Sequence, residues 1–487
     1  MRNPTSTPAG DALADAQAQA HPQDQTQAQE DGQARVHGNS ASQARIHMLL
    51  TAPVLSAMLH LALPTIVVLF VQTLVSVAET YFVSFLGTDV VAGVALVFPT
   101  LLLMTTMSNG GMGGGVSSAI GRALGAGRLQ DANRLVLHAL VLAVICGVLS
   151  SAVALYFGPA LYRSMGGSGK SLDAAVLYSG LLFAFAVPVW CVNLLAAALR
   201  GAGNVKAPAL IILGGAALLI PLSPLLIFGL GPMPALGVAG AAVAVDLYYV
   251  IALGVLVAYL RSGTAGLLLE WSGLEWRYFA DILRIGALSS LGTVQGNLTL
   301  LMVTGAVGHF GEHALAGYGL ASRIDALLIP LMFGLGTAVS TLVSANIGAG
   351  QLSRAHRVAW TGALLAGAFA QISGIAAALF PHAWLSLFSH DPEVLAAGVS
   401  YLHIVAPFYG FFGFGFLIYF VGQGAGRVGI PFLAGSVRLI ISAGIGWGVV
   451  HYWGASLVHL YELIALSMIL FAATNTVALV RWSRAAA

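Results

Sequence analysis

The chain has 487 residues, 58% of them hydrophobic and only 8% charged, and its mean hydropathy is +0.89. A soluble domain is about a quarter charged, so this composition excludes an ordinary soluble enzyme and places the chain among membrane proteins. The formal net charge of +2 gives no reason to expect a nucleic-acid partner. The two cysteines, Cys146 and Cys191, sit in apolar runs far from any metal-ligand spacing and imply no disulfide framework.

The first 48 residues are rich in Ala, Gln and Asp, almost free of large apolar side chains, and without a signal-peptide core. Such a segment cannot bury enough surface to offset its ordering entropy, so residues 1–50 are expected to form a disordered cytoplasmic tail. Beyond it, apolar runs long enough to span a bilayer alternate with Gly, Pro and charge clusters. Twelve helices are predicted, over 57–85, 92–118, 134–158, 173–198, 207–229, 237–260, 281–308, 315–340, 356–380, 394–421, 430–450 and 455–480. The fold class is therefore an all-α polytopic membrane protein.

Basic residues orient the spans. Arg122, Arg128 and Arg134 follow span 2, and Arg200 and Lys206 follow span 4. Arg261, Arg277 and Arg284 flank the 6–7 connection, Arg354 and Arg357 follow span 8, Arg427 and Arg438 flank 10–11, and Arg481 and Arg484 follow span 12. The opposite side has only Arg163 and Lys170, so the positive-inside rule predicts both termini in the cytoplasm.

The two halves of the chain repeat. "GAGRLQDANR" at Gly125–Arg134 matches "GAGQLSRAHR" at Gly348–Arg357, and "GAGNVKAP" at Gly201–Pro208 matches "GAGRVGIP" at Gly424–Pro431. Six spans per repeat is an even number, so both halves enter the membrane in the same direction, as in transporters built from parallel repeats. The expected organisation is a first lobe over 55–260, a linker over 261–285 and a second lobe over 281–480, with a cleft between pseudo-symmetric lobes that suits alternating access.

These motifs, with "ETYFVSFLG" closing the first helix, "PALGVAGAAVA" opening the sixth and "YGLASRIDALLIPLMFGLGTAVSTLVSANIGAG" along the eighth, resemble the multidrug and toxic compound extrusion (MATE) family. The likeness runs over residues 55–480 and is nearest to the DinF-like bacterial branch. It implies a two-lobed, twelve-helix exporter of the bacterial inner membrane that exchanges H+ or Na+ for organic, often cationic, compounds. Relatives usually carry Asp where this chain has Glu79. Proton-coupled relatives add an Asp before a proline in the fifth helix, where Ser223 precedes Pro224 here. The sodium-binding acids of helices 7 and 10 are not evident; the seventh helix offers Gln295 and Asn297 instead.

Four acids fall within the predicted spans: Glu79, Asp246, Asp325 and Glu462. An acid at mid-bilayer is costly and so faces a cavity or a partner. Glu79 shares a helical face with Gln72 and Ser76, and is read as a protonation or cation site rather than a residue snorkelling outward. Asp246 either replaces the acid missing at Ser223 or serves as a structural hydrogen-bonding group. Asn193 is its neutral partner in the same lobe, or a plain interhelical bond. Asp325 either attracts a cationic substrate or neutralises a nearby arginine. Tyr248 is placed among the aromatics able to line a drug cavity.

The expected function is a secondary multidrug efflux antiporter, driven by H+ in preference to Na+. A lipid-linked oligosaccharide flippase is the alternative, although Arg323 is the only in-span base well away from a basic end. An integral membrane enzyme would need a paired acid–base, nucleophile or metal cluster, and the scattered histidines show no such spacing. No metal or cofactor is expected. The expected partners are small organic compounds and the bilayer, and the expected state is a monomer.

Overall fold

The computed structural model describes Ser40 and residues 42–229 and 234–484. They form twelve long helices and, among the described residues, no strand. The first lobe comprises α1 (Val54–Ser84), α2 (Thr88–Gly125), α3 (Leu129–Ser164), α4 (Gly169–Ala184 and Ala186–Gly201), α5 (Lys206–Phe228) and α6 (Val238–Arg261). The second comprises α7 (Trp276–Gly308), α8 (Glu312–Gly348), α9 (Leu352–Leu379), α10 (Pro392–Ala425), α11 (Gly429–Trp453) and α12 (Leu457–Arg484). Ten of them, and α4 as a bent pair, are long and apolar enough to cross a membrane. The seventh is more polar along its length, carrying Asp281, Arg284, Gln295 and Asn297, but runs beside the others.

Several helices run past the predicted spans at the end carrying the basic residues, α2 to Gly125 and α8 to Gly348. Hydropathy marks the part inside hydrocarbon, and a helix continues beyond it wherever its backbone hydrogen bonds continue. The linker between lobes is residues 262–275, shorter than the expected 261–285, because α7 already starts at Trp276. Of the expected tail over 1–50, residues 1–39 lie outside the described residues. Residues 42–51 are helical, which corrects that part of the expectation. The reason is tertiary: Arg45 Nη2 donates to Ala265 O at 2.8 Å, and Asn346 Nδ2 donates to Leu49 O at 3.2 Å. Arg354 Nη2 also donates to Ala52 O at 2.5 Å.

Proline acts differently from site to site. Pro188, which has no N–H to reach back to Ala184 O, follows a 51° bend of α4 at Phe185, and at Pro407 a 3₁₀ turn (Ala406–Phe408) interrupts α10. Pro64 and Pro330 remain inside continuous helices. Two π-helical turns, Met107–Met112 in α2 and Leu439–Ile445 in α11, re-aim neighbouring side chains.

Two buried cores result, and the starting halves of α1 and α7 exchange between them. Ala57, Met58, Leu61 and Ala62 of α1 join the core of the second lobe. Tyr278 and Ile282 of α7 join that of the first. At the basic end the lobes meet across α2 and α8 with near two-fold symmetry. A Cβ on Gly125 would strike Ala345 O, and one on Gly348 would strike Arg122 O, so only glycine lets these backbones cross. Arg122 Nη2 bonds Asp281 Oδ1 at 2.6 Å, Ser118 Oγ donates to Gln423 O at 2.7 Å, and Gln423 Nε2 donates to Gly110 O at 3.0 Å. The last inter-lobe hydrogen bond toward the opposite face, among the described residues, is Asn297 Nδ2 to Thr106 Oγ1 at 3.4 Å.

Candidate ion and substrate site

In the first lobe, Glu79 stands five residues before the end of α1 and Ser223 five before the end of α5, roughly 7.5 Å from their helix ends at 1.5 Å per residue. Ser223 Oγ donates to Glu79 Oε2 at 2.9 Å. The serine found where relatives carry an acid therefore contacts the remaining carboxylate directly. Pro221 and Pro224 flank Ser223 within α5, and each removes a backbone donor from the helix around it.

Asp246 lies eight residues into α6, roughly 12 Å from its start. It is 4% exposed, and neither carboxylate oxygen has a hydrogen-bond partner among the described residues. An ionised carboxylate so placed costs several kcal/mol unless a proton, a cation or water completes its shell. Tyr178 of α4, itself buried, is close enough to feel the charge of both Glu79 and Asp246. The phenol of Tyr248 hydrogen-bonds Gln72. Glu79, Ser223, Tyr178, Asp246, Tyr248 and Gln72 thus share the interior of one lobe. Neither acid forms an ion pair among the described residues.

The other expected site residues fall elsewhere. Ser76 lies three residues before Glu79 on the continuous α1, but it is exposed and its hydroxyl makes no bond to the carboxylate, which is met by Ser223 instead. Asn193 lies deeper, donating to Ser108 Oγ at 2.8 Å, and is not the partner of Asp246. Gln295 faces α11, donating to Ser436 Oγ at 2.7 Å. Asn297 bridges toward α2 and also donates to Thr293 O at 2.9 Å. Asp325 belongs to a separate cluster in the second lobe, where Tyr401 OH donates to its Oδ2 at 2.7 Å, while its Oδ1 and the nearby Tyr409 hydroxyl have no hydrogen-bond partner among the described residues. Arg438 is within electrostatic reach of Asp325 and lies over the Phe412 ring at 4.6 Å. Arg323 stacks over Phe388 at 5.4 Å instead of entering a central cavity.

Sequence reasoning missed Arg200, which it used only to orient the spans. The structure turns its side chain inward, 7% exposed, with Nη2 bonded to Asn109 Oδ1 at 2.7 Å. The π-turn of α2 makes this possible by presenting Ser108 and Asn109 to Asn193 and Arg200. Arg200, Asn109, Asn193, Gln72 and Thr65 form the polar side of a small cavity of about 20 Å³, whose other walls, among them Val68, Leu69 and Ile212, are apolar. The signal in the sequence was the polar pair Ser108-Asn109 inside an apolar helix, but its partner could not be read from spacing.

Two six-helix lobes joined at one end, with acids inside the helix bundle of each, are the architecture of a membrane transporter. The MatE family model matches residues 64–225 and 292–447, one block in each lobe, and the chain belongs to that family. It is a transporter and not an enzyme.

Similar proteins include the FAD transporter of Shewanella oneidensis, 28% identical over 75% of this chain and 81% of that protein. The probable multidrug resistance protein YoeA of Bacillus subtilis is 28% identical over 75% of this chain and 78% of its own length. Among solved structures, an outward-facing multidrug resistance MATE family transporter of the MOP superfamily superposes with a TM-score of 0.81 at 27% identity, covering 90% of this chain and 98% of that one.

Proposed function

We propose that this protein is a secondary antiporter that exports organic, often cationic, compounds in exchange for H+, with Na+ as the alternative coupling ion. Its relatives include proteins named for multidrug resistance, which supports the substrate class. The observation that carries the coupling is Asp246, buried with two unpartnered carboxylate oxygens beside Tyr178 and the Glu79–Ser223 pair. A proton or cation entering there neutralises charge that the lobe itself leaves uncompensated. The excess of arginine at the sealed end supports cytoplasmic termini in a bacterial inner membrane, and hence a cleft that faces outward in this state. Export then alternates between ion entry from outside, closure over the first-lobe acids, and ion release as the Gly125–Gly348 crossing opens.

A second reading, export of an anionic flavin nucleotide, is favoured by one observation: the inward-facing guanidinium of Arg200, which matches a phosphate better than a cation. The FAD transporter among the relatives points the same way. Proteoliposomes holding ethidium or FAD, tested under imposed ΔpH and separately under imposed ΔNa+, decide between these readings. Ethidium movement under ΔpH alone is expected. Ethidium movement only under ΔNa+ reassigns the ion, and movement of FAD without ethidium replaces the first reading with the second.

A further inference from the structure

A cavity lies away from the acids, at the basic end of the second lobe. About 230 Å³ opens between the ends of α10, α11 and α12. Ile418, Val421, Pro431 and Leu479 form apolar walls, and Arg427 and Arg481 stand at its rim. Both arginines are exposed, and neither side chain has an ion pair or hydrogen bond among the described residues. No acidic side chain lines the cavity. Arg427 is two residues beyond α10 and Arg481 is in the last turn of α12, so both sit where helices leave the hydrocarbon.

The repeat supplies an internal control. Offset by 223 residues, Arg427 corresponds to Asn204 and Trp482 to Tyr259. In the first lobe Asn204 Nδ2 donates to the Tyr259 hydroxyl at 3.0 Å, which links the end of α4 to that of α6. The second lobe has replaced both partners. Trp482 is buried against the His356 ring at 4.1 Å, Arg427 is free, and the groove stays open. Drug-sized ligands occupy roughly 300–1,000 Å³, so this cavity is small for an exported compound. Apolar walls below two unpaired guanidinium groups, at the depth of a membrane interface, complement a phosphate carried on acyl chains.

We propose that this cavity binds an anionic phospholipid, with Arg427 and Arg481 holding its phosphate and the Ile418–Val421–Leu479 wall holding the upper part of one acyl chain. A soluble anion would use the arginines but gain nothing from that wall. The test is native mass spectrometry of the full chain in detergent, titrated with phosphatidylglycerol and with phosphatidylcholine of identical chains. The protein is expected to retain one phosphatidylglycerol with roughly 10-fold preference. The preference falls to within about twofold in Arg427→Gln/Arg481→Gln and persists in Arg427→Lys/Arg481→Lys, which keeps both charges. The single Arg481→Gln change, on an exposed side chain, gives an intermediate value and covers the case in which the double variant does not fold. Equal retention of the two lipids by the unaltered chain, an unchanged preference in the glutamine variants, or displacement by millimolar inorganic phosphate would each overturn the assignment.

Discussion

The two lobes share a repeat but treat buried charge in opposite ways. Tyr178 and Tyr401 occupy equivalent places, 223 residues apart. In the first lobe Tyr178 lies near two carboxylates, of which one has a single serine donor and the other has none. In the second lobe Tyr401 donates to the carboxylate of Asp325, and Arg438 of α11 lies within electrostatic reach of it. Arg438 corresponds to Gly215 of the first lobe, where the Tyr248 ring takes up the space a side chain would need. The two first-lobe acids thus have no base paired with them, whereas the second-lobe acid has a phenol donor and a base within electrostatic reach. Duplication gave both lobes a scaffold for a buried acid, and a base facing that acid separates a structural cluster from an ion site.

The sharpest way to break this comparison is to neutralise the acids. Asp246→Asn and Glu79→Gln are each expected to lower ion-driven efflux by on the order of 10- to 100-fold at equal insertion, the range of a typical site-to-site coupling. Retained ΔpH-driven transport in proteoliposomes would remove the first lobe from the coupling role.

The opposite result is expected for Asp325→Asn. It loses the charge-assisted bond from Tyr401 and leaves Arg438 uncompensated, costing about 2 kcal/mol of stability while ion coupling survives. A lower melting temperature in detergent with an unchanged ΔpH requirement is the outcome to look for. Arg438→Gln added to it should recover part of the loss.

Ser223→Ala removes only the donor to Glu79, worth about 1.5 kcal/mol, and should slow efflux by roughly 10-fold. An effect as large as that of Glu79→Gln would mean that Ser223 itself holds the ion. The smallest effect concerns the face opposite the termini. There the backbone N–H groups of Val394 and Glu393, with His313 nearby, hold the Asp391 carboxyl below the usual aspartate range. Its folded value is depressed, so this cap stabilises the start of α10 above the ordinary aspartate pKa and is lost as pH falls through the lowered value. Asp391→Asn should flatten that acid-side decline in thermal stability and leave coupling untouched.

Much of the architecture was legible in the chain because hydropathy, basic-residue bias and the Gly-Ala-Gly repeats are local signals, each imposed by the bilayer or by a turn. Glu79 and Asp246 could be picked out for the same reason: an acid in an apolar run is conspicuous wherever it points. Contacts between helices were not legible. Spacing on one helix grouped Ser76 with Glu79 and assigned Asn193 to Asp246. In the folded chain Ser76 is exposed, Asn193 pairs with Ser108, and Ser223 from a distant helix meets Glu79.

By itself the sequence determined twelve helices in two repeats and the presence of carboxylates within them, because a membrane tests each segment separately. Only the tertiary structure decided which acid is answered by a base, that Arg200 turns inward, and that residues 42–51 dock on the linker. Those outcomes depend on helix rotation, the bend of α4 at Phe185 and the π-turns of α2 and α11, which bring together side chains distant in the chain.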